Sequence, residues 1–172
     1  LGVPAGESVA LWGGNGAGKT TALRCLMGVI PYQGTVRLGD YDVSRQGKAA
    51  RRLLGFVPQE INFHDDMAVG ETLYFYAQLK KTTTGTKHAA GLLERLGLSS
   101  YIQQQVGDLS GGMKQRLALV IALLADPPIL MLDEPTANLD IRAREEFLAL
   151  LTELREAGKT LIFSSHRLEE VT

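Results

Sequence analysis

The sequence has 172 residues, which is the usual length of a single domain and is enough to bury a substantial hydrophobic core. Its formal net charge is −1, with 45% hydrophobic and 22% charged residues, so the composition gives no reason to expect a nucleic-acid-binding surface. The single cysteine, Cys25, excludes an internal disulfide. The longest apolar run, residues 117–125, is shorter than the roughly 20 residues that a membrane-spanning helix needs.

The first predicted elements are a strand, a glycine-rich loop and a helix. Residues 8–12 predict a short buried strand, and residues 21–27 carry apolar side chains at helical spacing. Between them, Gly13-Gly14-Asn15-Gly16-Ala17-Gly18-Lys19-Thr20 matches the phosphate-binding pattern G-x-x-x-x-G-K-[ST]. Glycines let backbone N–H groups face a polyanion, Lys19 adds a cation, and the Thr20 hydroxyl can ligate Mg²⁺. A glycine-rich turn of an α/β protein is the alternative, but the full match in this context favours nucleotide binding.

The middle of the chain predicts short strands followed by a helical block. Residues 34–39 alternate like a half-exposed strand, and residues 53–57 predict another, which Pro58 ends. The polar and basic stretch between them, 44–52, favours a solvated helix or loop. Residues 62–107 are mostly helical in pattern, and the aromatic run 74–76 within them is interpreted as core and packing surface.

The last third predicts two helices, two strands and a pair of carboxylates. Residues 115–125 predict a long helix, residues 129–132 a central parallel strand, and residues 160–163 the last strand. Asp140 is a good cap for the second helix, which ends at Gly158. Asp133 and Glu134 follow the central strand directly, where α/β sheets bind ligands. Asp133 is therefore placed to hold Mg²⁺, directly or through water, and Glu134 to accept a proton from an attacking water.

A capped, glycine-rich helix start precedes that strand. Ser110 is a favourable cap, and Gly111 and Gly112 let a ligand approach the backbone closely, so residues 109–115 are a candidate anion site. By itself, this pattern indicates no more than a capped helix. With the phosphate loop before it and the Asp-Glu strand after it, however, the whole chain resembles the ATP-binding-cassette (ABC) ATPases.

The resemblance implies a role for each matching motif. Residues 13–20 resemble the Walker A loop, residues 129–133 Walker B, and residues 109–115 the LSGGQ signature, with Met113 where the family usually has Gln. Gln59 resembles the glutamine loop that touches Mg²⁺ and couples to a membrane partner, and residues 137–140 resemble the D-loop. His166 resembles the switch histidine near the γ-phosphate. His64 and His88 match no motif and are expected on the surface.

Carried over residue by residue, the resemblance implies three overlapping sets of site residues. The catalytic set is Lys19, Gln59, Glu134 and His166, and the metal ligands are Thr20, Gln59 and Asp133. The residues expected to contact ATP lie in the phosphate loop and the signature, and they are Gly13, Asn15, Gly16, Ala17, Gly18, Lys19, Thr20, Thr21, Ser110, Gly111 and Gly112.

The resemblance also implies a fold and a division of the chain. The expected class is α/β, a P-loop NTPase core with a mostly parallel sheet, a small antiparallel β part and an inserted α-helical subdomain. Residues 1–60 and 113–172 would form the catalytic core, and residues 61–112 the helical subdomain with the signature. Because family members begin with an earlier strand and an adenine-stacking aromatic residue, and continue past the histidine, this chain is expected to be a fragment.

The function implied by the resemblance is transport driven by ATP and Mg²⁺. The chain would work as a head-to-tail dimer of ABC ATPase protomers, bound to transmembrane permease subunits at the cytoplasmic face of the cell membrane. The system is expected to be of the exporter type and to have no nucleic-acid partner. One alternative is a soluble ABC ATPase of translation or DNA repair. Another is a non-catalytic scaffold, although the presence of Lys19, Asp133, Glu134 and His166 argues against it.

Overall fold

The computed structural model describes residues 2–81 and 86–167. In this part of the chain, a parallel sheet of four strands runs in the order β1-β6-β5-β4, and its strands are β1 (Ser8–Trp12), β4 (Leu54–Val57), β5 (Ile129–Leu132) and β6 (Thr160–Ser165). A second, antiparallel sheet pairs β2 (Arg37–Leu38) with β3 (Tyr41–Asp42). The predicted α/β class, with a mostly parallel sheet and a small antiparallel part, is confirmed.

Both faces of the parallel sheet are buried, because alternate residues of each strand enter different hydrophobic clusters. Leu130 and Leu132 of β5 belong to the larger cluster, whereas Met131 between them belongs to the smaller one. In β6, Phe163 joins the larger cluster and Ile162 the smaller. This two-sided burial explains why these strands are continuously apolar instead of alternating between apolar and polar residues.

Helices cover the two faces of the sheet. They are α1 (Lys19–Leu26), α2 (Gly47–Arg52), α3 (Val69–Lys80), α4 (Thr86–Arg95), α5 (Gly111–Leu123) and α6 (Ile141–Glu156), with short 3₁₀ turns at Ser99–Tyr101 and Val106–Asp108. Leu23 of α1 lies in the smaller cluster, and α5 and α6 contribute to the larger one. None of the helices in the described ranges is long and apolar enough to cross a membrane.

The helical block predicted between residues 62 and 107 contains α3 and α4. Val69 of α3 and Leu93 of α4 pack in the same cluster as Leu130 of the sheet, so the block and the core share apolar contacts. The division into residues 1–60 with 113–172 and residues 61–112 therefore stays a prediction. Residues 82–85 of the block and the core's terminal residues 1 and 168–172 lie outside the described residues.

Some local features differ from the expectations. The strand expected at 34–39 is only Arg37–Leu38, because the chain turns at Gly39, with φ 55°, and pairs with β3 at once. In the aromatic run, Tyr76 packs edge-on against Phe63, but Tyr74 is 69% exposed and Phe75 is 43% exposed.

The two histidines outside the motifs lie in different environments. His64 is exposed, as expected. His88 is partly buried, with its Nε2 atom 3.4 Å from the Leu123 carbonyl oxygen at the end of α5. The surface position expected for His88 is therefore only partly correct.

Candidate functional site

The phosphate loop joins the end of β1 to the start of α1. The Gly13 N–H donates to the Ser165 carbonyl at 3.3 Å, which ties the loop to the neighbouring strand β6. Gly16 and Gly18 have φ values of 79° and 87°, in the left-handed region that favours glycine. In the described chain, no side chain caps α1 at Gly18, so the first N–H groups of the helix are available to an anion.

A cleft of about 350 Å³ opens over this loop. Its lining consists of residues 15–21, Gln59 and Glu134. These residues follow β1, β4 and β5, so they gather at the carboxyl ends of three parallel strands, where sheets of this class bind ligands. A neighbouring cavity of about 510 Å³ is lined by Thr20, Gln59 and Asp133, among others, and thus contains the three metal ligands expected from the sequence.

Lys19 is held by the loop and by a carboxylate. Its Nζ atom donates to the carbonyl oxygens of Gly13 at 2.6 Å and Gly14 at 3.1 Å. The same atom lies 3.0 Å from Glu134 Oε1, and the two side chains are only 10% and 8% exposed. Glu134 is therefore the counter-ion of the phosphate-loop lysine.

The second oxygen of Glu134 contacts the predicted switch histidine, with Oε2 2.7 Å from Nδ1 of His166. Burial raises the pKa of Glu134, but hydrogen bonds from His166 and Lys19, together with their positive charges, outweigh burial, so the net pKa lies below its usual value. Glu134 is thus a carboxylate at neutral pH. Its backbone has φ 45°, which is uncommon for a residue other than glycine.

Asp133 lies one residue earlier and contacts a different part of α1. It is 3% exposed, and its Oδ1 atom accepts hydrogen bonds from Thr20 Oγ1 at 3.1 Å and from Ser164 Oγ at 2.6 Å. A hydroxyl and a carboxylate are hard oxygen donors, and a Mg²⁺ ion bound with a nucleotide typically takes one or two carboxylates plus phosphate oxygens. The donors present therefore fit a Mg²⁺–nucleotide complex, which Thr20 and Asp133 would help to hold.

The signature residues lie apart from this cleft. Ser110 caps α5, since its Oγ accepts from the Met113 N–H at 3.3 Å, as the sequence predicts. The helix start faces the beginning of α6, because a Cβ atom added at Gly112 would lie 3.2 Å from the Ala143 Cβ. Among the residues described, those lining the 350 Å³ cleft do not include Ser110, Gly111 or Gly112. One chain alone does not bring the two candidate anion sites together.

Sequence reasoning did not identify Ser164 as part of this site. Its hydroxyl contacts Asp133 and also accepts from the Glu134 N–H at 2.8 Å. The signal lies in the strand register: Leu132 pairs with Phe163, so the next residues, Asp133 and Ser164, come side by side. Recognising this contact requires knowing that β5 and β6 are neighbours.

Known proteins are similar to this chain over most of its length. The family model described as ABC transporter matches residues 1–137. The linearmycin resistance ATP-binding protein LnrL of Bacillus subtilis is 37% identical over 169 residues, which cover 96% of this chain and 54% of that protein. The Nod factor export ATP-binding protein I of Burkholderia lata is 42% identical over 171 residues, which cover 98% of this chain and 56% of that protein.

A solved structure shows the same fold. The chain superposes on cbiO1 from Clostridium perfringens, described as part of the ABC transporter complex cbiONQ, with a TM-score of 0.86 and 30% identity, covering 99% of this chain and 71% of that one. The chain spans about half the length of the two curated relatives above. Because the family model matches most of its residues, the chain belongs to the ABC transporter family.

Proposed function

We propose that this chain is the ATP-binding and ATP-hydrolysing part of a transporter, which drives the movement of a substrate across a membrane. One observation carries the proposal: Lys19, Glu134 and His166 meet at one end of the sheet beside the Thr20–Asp133 pair. This arrangement offers a cation for phosphate, two oxygen donors for a metal and a carboxylate base in two neighbouring cavities at that end of the sheet. These are the parts that hydrolysis of a nucleoside triphosphate requires.

In the proposed reaction, the loop residues bind and orient the triphosphate. Lys19 and the N–H groups at the start of α1 neutralise its charge, and Thr20, Asp133 and Gln59 hold Mg²⁺, which supplies further charge neutralisation when bound. Glu134 accepts the proton of the attacking water, because its lowered pKa keeps it ionised. His166, with Nδ1 2.7 Å from Glu134 Oε2, orients that carboxylate. Its resemblance to the switch histidine implies that it would also lie near the γ-phosphate.

The site becomes complete when a second copy supplies the signature. Ser110 and the glycines after it form a capped helix start, which is a favourable place for an anion, but they do not line the 350 Å³ cleft of their own chain. A head-to-tail dimer would place the helix start of each protomer on the nucleotide of the other. Two-fold symmetry would then make both sites equivalent.

A complementation experiment tests this dimer. Lys19→Ala disables the phosphate loop of a protomer, and Ser110→Arg disables its signature. If the signature acts across the dimer, mixing the two inactive variants gives heterodimers with one intact site, and phosphate release exceeds that of either variant alone. If no activity returns although the mixed dimers form, the trans arrangement is wrong.

An apolar groove on the helical block is the proposed contact with the membrane subunits. Tyr74, Phe75 and Ile102 are 69%, 43% and 40% exposed, and they line a cavity of about 710 Å³. Exposed aromatic clusters mark docking surfaces. A permease segment bound there would place the chain at the inner face of the cell membrane.

The names of the relatives favour transport over a role in translation or DNA repair. One relative is named for resistance to an antibiotic, one for export of Nod factor, and the structural neighbour is part of a transporter complex. The name that mentions export is consistent with the exporter-type system proposed here.

The proposed function is tested with the full-length protein in detergent-solubilised membranes. Phosphate release that requires Mg²⁺ and is lost in Lys19→Ala would support ATP hydrolysis at this site, and no release by the wild type would contradict it. Co-purification with a hydrophobic subunit that is weakened by Tyr74→Glu, but not by Glu145→Lys on the exposed side of α6, would support the groove as the membrane contact.

A further inference from the structure

The hydroxyl of Ser164 connects the two carboxylate-bearing residues of the site. Ser164 lies in β6, between β1 and β5, and its side chain is fully buried. Its Oγ atom donates to Asp133 Oδ1 at 2.6 Å and accepts from the Glu134 N–H at 2.8 Å. One hydroxyl therefore makes hydrogen bonds to the side chain of one residue and to the backbone of the next.

Each of these two hydrogen bonds restrains a different group. The bond to Asp133 acts together with the bond from Thr20 to the same Oδ1 atom, so two hydroxyls fix one orientation of the carboxylate. The bond from the Glu134 N–H restrains a residue whose φ is 45°, a conformation that residues other than glycine rarely adopt. Alanine or valine at position 164 would fill space without making either bond.

We propose that Ser164 is a positioning residue for this site, which sets the metal-ligating geometry of Asp133 and the placement of the Glu134 carboxylate. The inference rests on the proposed function, because it assigns Asp133 to Mg²⁺ and Glu134 to the attacking water. Partners that orient metal ligands typically contribute 10- to 100-fold in metal affinity or activity. Ser164 acts through these two residues and need not touch the nucleotide.

The test separates metal-dependent from metal-independent nucleotide binding. In the full-length protein, the Kd for ATP is measured once with Mg²⁺ and once with EDTA. We expect Ser164→Ala to leave the Kd in EDTA unchanged, to reduce the gain in affinity on adding Mg²⁺ by about 10- to 100-fold, and to lower kcat by a similar factor. A residue that only stabilises the fold would change both Kd values or neither.

Thr160→Val is a matched control at the other end of the same strand. Thr160 is 7% exposed, and its Oγ1 accepts from the Gly6 N–H at 2.9 Å. This variant also removes a buried hydroxyl and leaves one backbone N–H without its acceptor, but it lies away from Asp133 and Glu134. We expect Thr160→Val to lose about as much stability as Ser164→Ala. Its gain in ATP affinity on adding Mg²⁺ should nevertheless stay within about twofold of that of the wild type.

Two further variants cover the case in which Ser164→Ala does not fold. Thr and Val have nearly the same shape, and both suit a strand, so Ser164→Thr and Ser164→Val differ mainly in the hydroxyl. The proposal expects the Thr variant to keep the Mg²⁺ dependence and the Val variant to lose it. Equal Mg²⁺ dependence in the two variants, or a wild-type Mg²⁺ dependence in Ser164→Ala, would overturn it.

The proposed function can fail separately from this inference. If the wild type binds Mg²⁺ and ATP but releases no phosphate, hydrolysis by this chain is wrong, while the ratio of the two Kd values still tests Ser164. If turnover is normal in the wild type and the ratio is unchanged in Ser164→Ala, the positioning role alone is wrong.

Discussion

Glu134→Gln tests the role of Glu134 as the general base, because glutamine has nearly the same shape as glutamate. The substitution removes the negative charge from a side chain that is 8% exposed and lies 3.0 Å from Lys19 Nζ and 2.7 Å from His166 Nδ1. Losing a general base typically lowers turnover by about 10²- to 10⁴-fold, or about 3–5 kcal/mol of barrier. We therefore expect kcat to fall within that range in the variant.

The same structure predicts a second, opposite effect on binding. ATP must compete with Glu134 for Lys19, because the two side chains form an ion pair. A hydrogen bond to a charged partner is worth about 1 kcal/mol more than one to a neutral partner, which corresponds to about fivefold in affinity. Glu134→Gln should therefore bind ATP about fivefold more tightly than the wild type while hydrolysing it poorly.

Both effects are measurable with purified full-length protein, by phosphate release and by equilibrium binding of ATP. Glu145→Gln, at an exposed glutamate of α6, is the control for the chemical change alone and should alter neither quantity. Turnover within tenfold of wild type in Glu134→Gln would remove Glu134 from the role of base. Weaker ATP binding would refute the argument that Glu134 competes with the nucleotide for Lys19.

Three other substitutions give separate expectations. Lys19→Ala should weaken ATP binding by about tenfold or more in equilibrium titrations, because it removes a charged phosphate donor; unchanged affinity would contradict the loop assignment. Gly55→Ala should lower the free energy of unfolding by about 1–3 kcal/mol in urea, since the added Cβ would lie 2.7 Å from the rigid Ala122 carbonyl oxygen; a neutral result would mean that β4 and α5 shift apart easily. Asp126→Asn should cost less than about 1 kcal/mol at neutral pH, because the exposed Asp126 is hydrogen-bonded by Lys159, which lowers the pKa of that carboxyl. Because the pKa of Asp126 is lower in the folded state, its carboxylate stabilises the fold above the unfolded pKa of 3.8, and this stabilisation is lost as the pH falls below that value and through the folded pKa. The difference in free energy of unfolding between variant and wild type should therefore disappear in acid. A difference that persists at low pH would exclude this ion pair as its cause.

The parts of the site that are contiguous in the chain could be predicted from the sequence. The phosphate loop is a local structure, because its glycines adopt the left-handed conformations that shape it and the following helix begins at Lys19. Strand β5 could be predicted because burial on both faces leaves a continuous apolar run. The cap at Ser110 follows from a local preference for a side-chain acceptor at a helix start.

Contacts between distant segments could not be predicted in the same way. The Lys19–Glu134 ion pair joins residues that follow β1 and β5, which are not neighbours in the sheet, because β6 lies between them. Helical periodicity in α3 likewise indicates an apolar face without showing which part of it the core covers. Tyr76 is packed there, whereas Tyr74 is left exposed.

The end of β5 shows why this site needs an unusual backbone. Consecutive residues of an extended strand point to opposite faces, so a regular continuation would separate Asp133 from Glu134. Instead, Asp133 contacts Thr20, and Glu134 contacts Lys19, which are adjacent at the start of α1. The left-handed conformation of Glu134, with φ 45°, interrupts the alternation and brings both carboxylates to the start of α1, at a cost of about 1–2 kcal/mol. The buried Ser164 hydroxyl of β6 accepts a hydrogen bond from the Glu134 N–H and offsets part of this cost. The geometry of the two carboxylates therefore depends on the neighbouring strand β6 as much as on the Asp133-Glu134 motif itself.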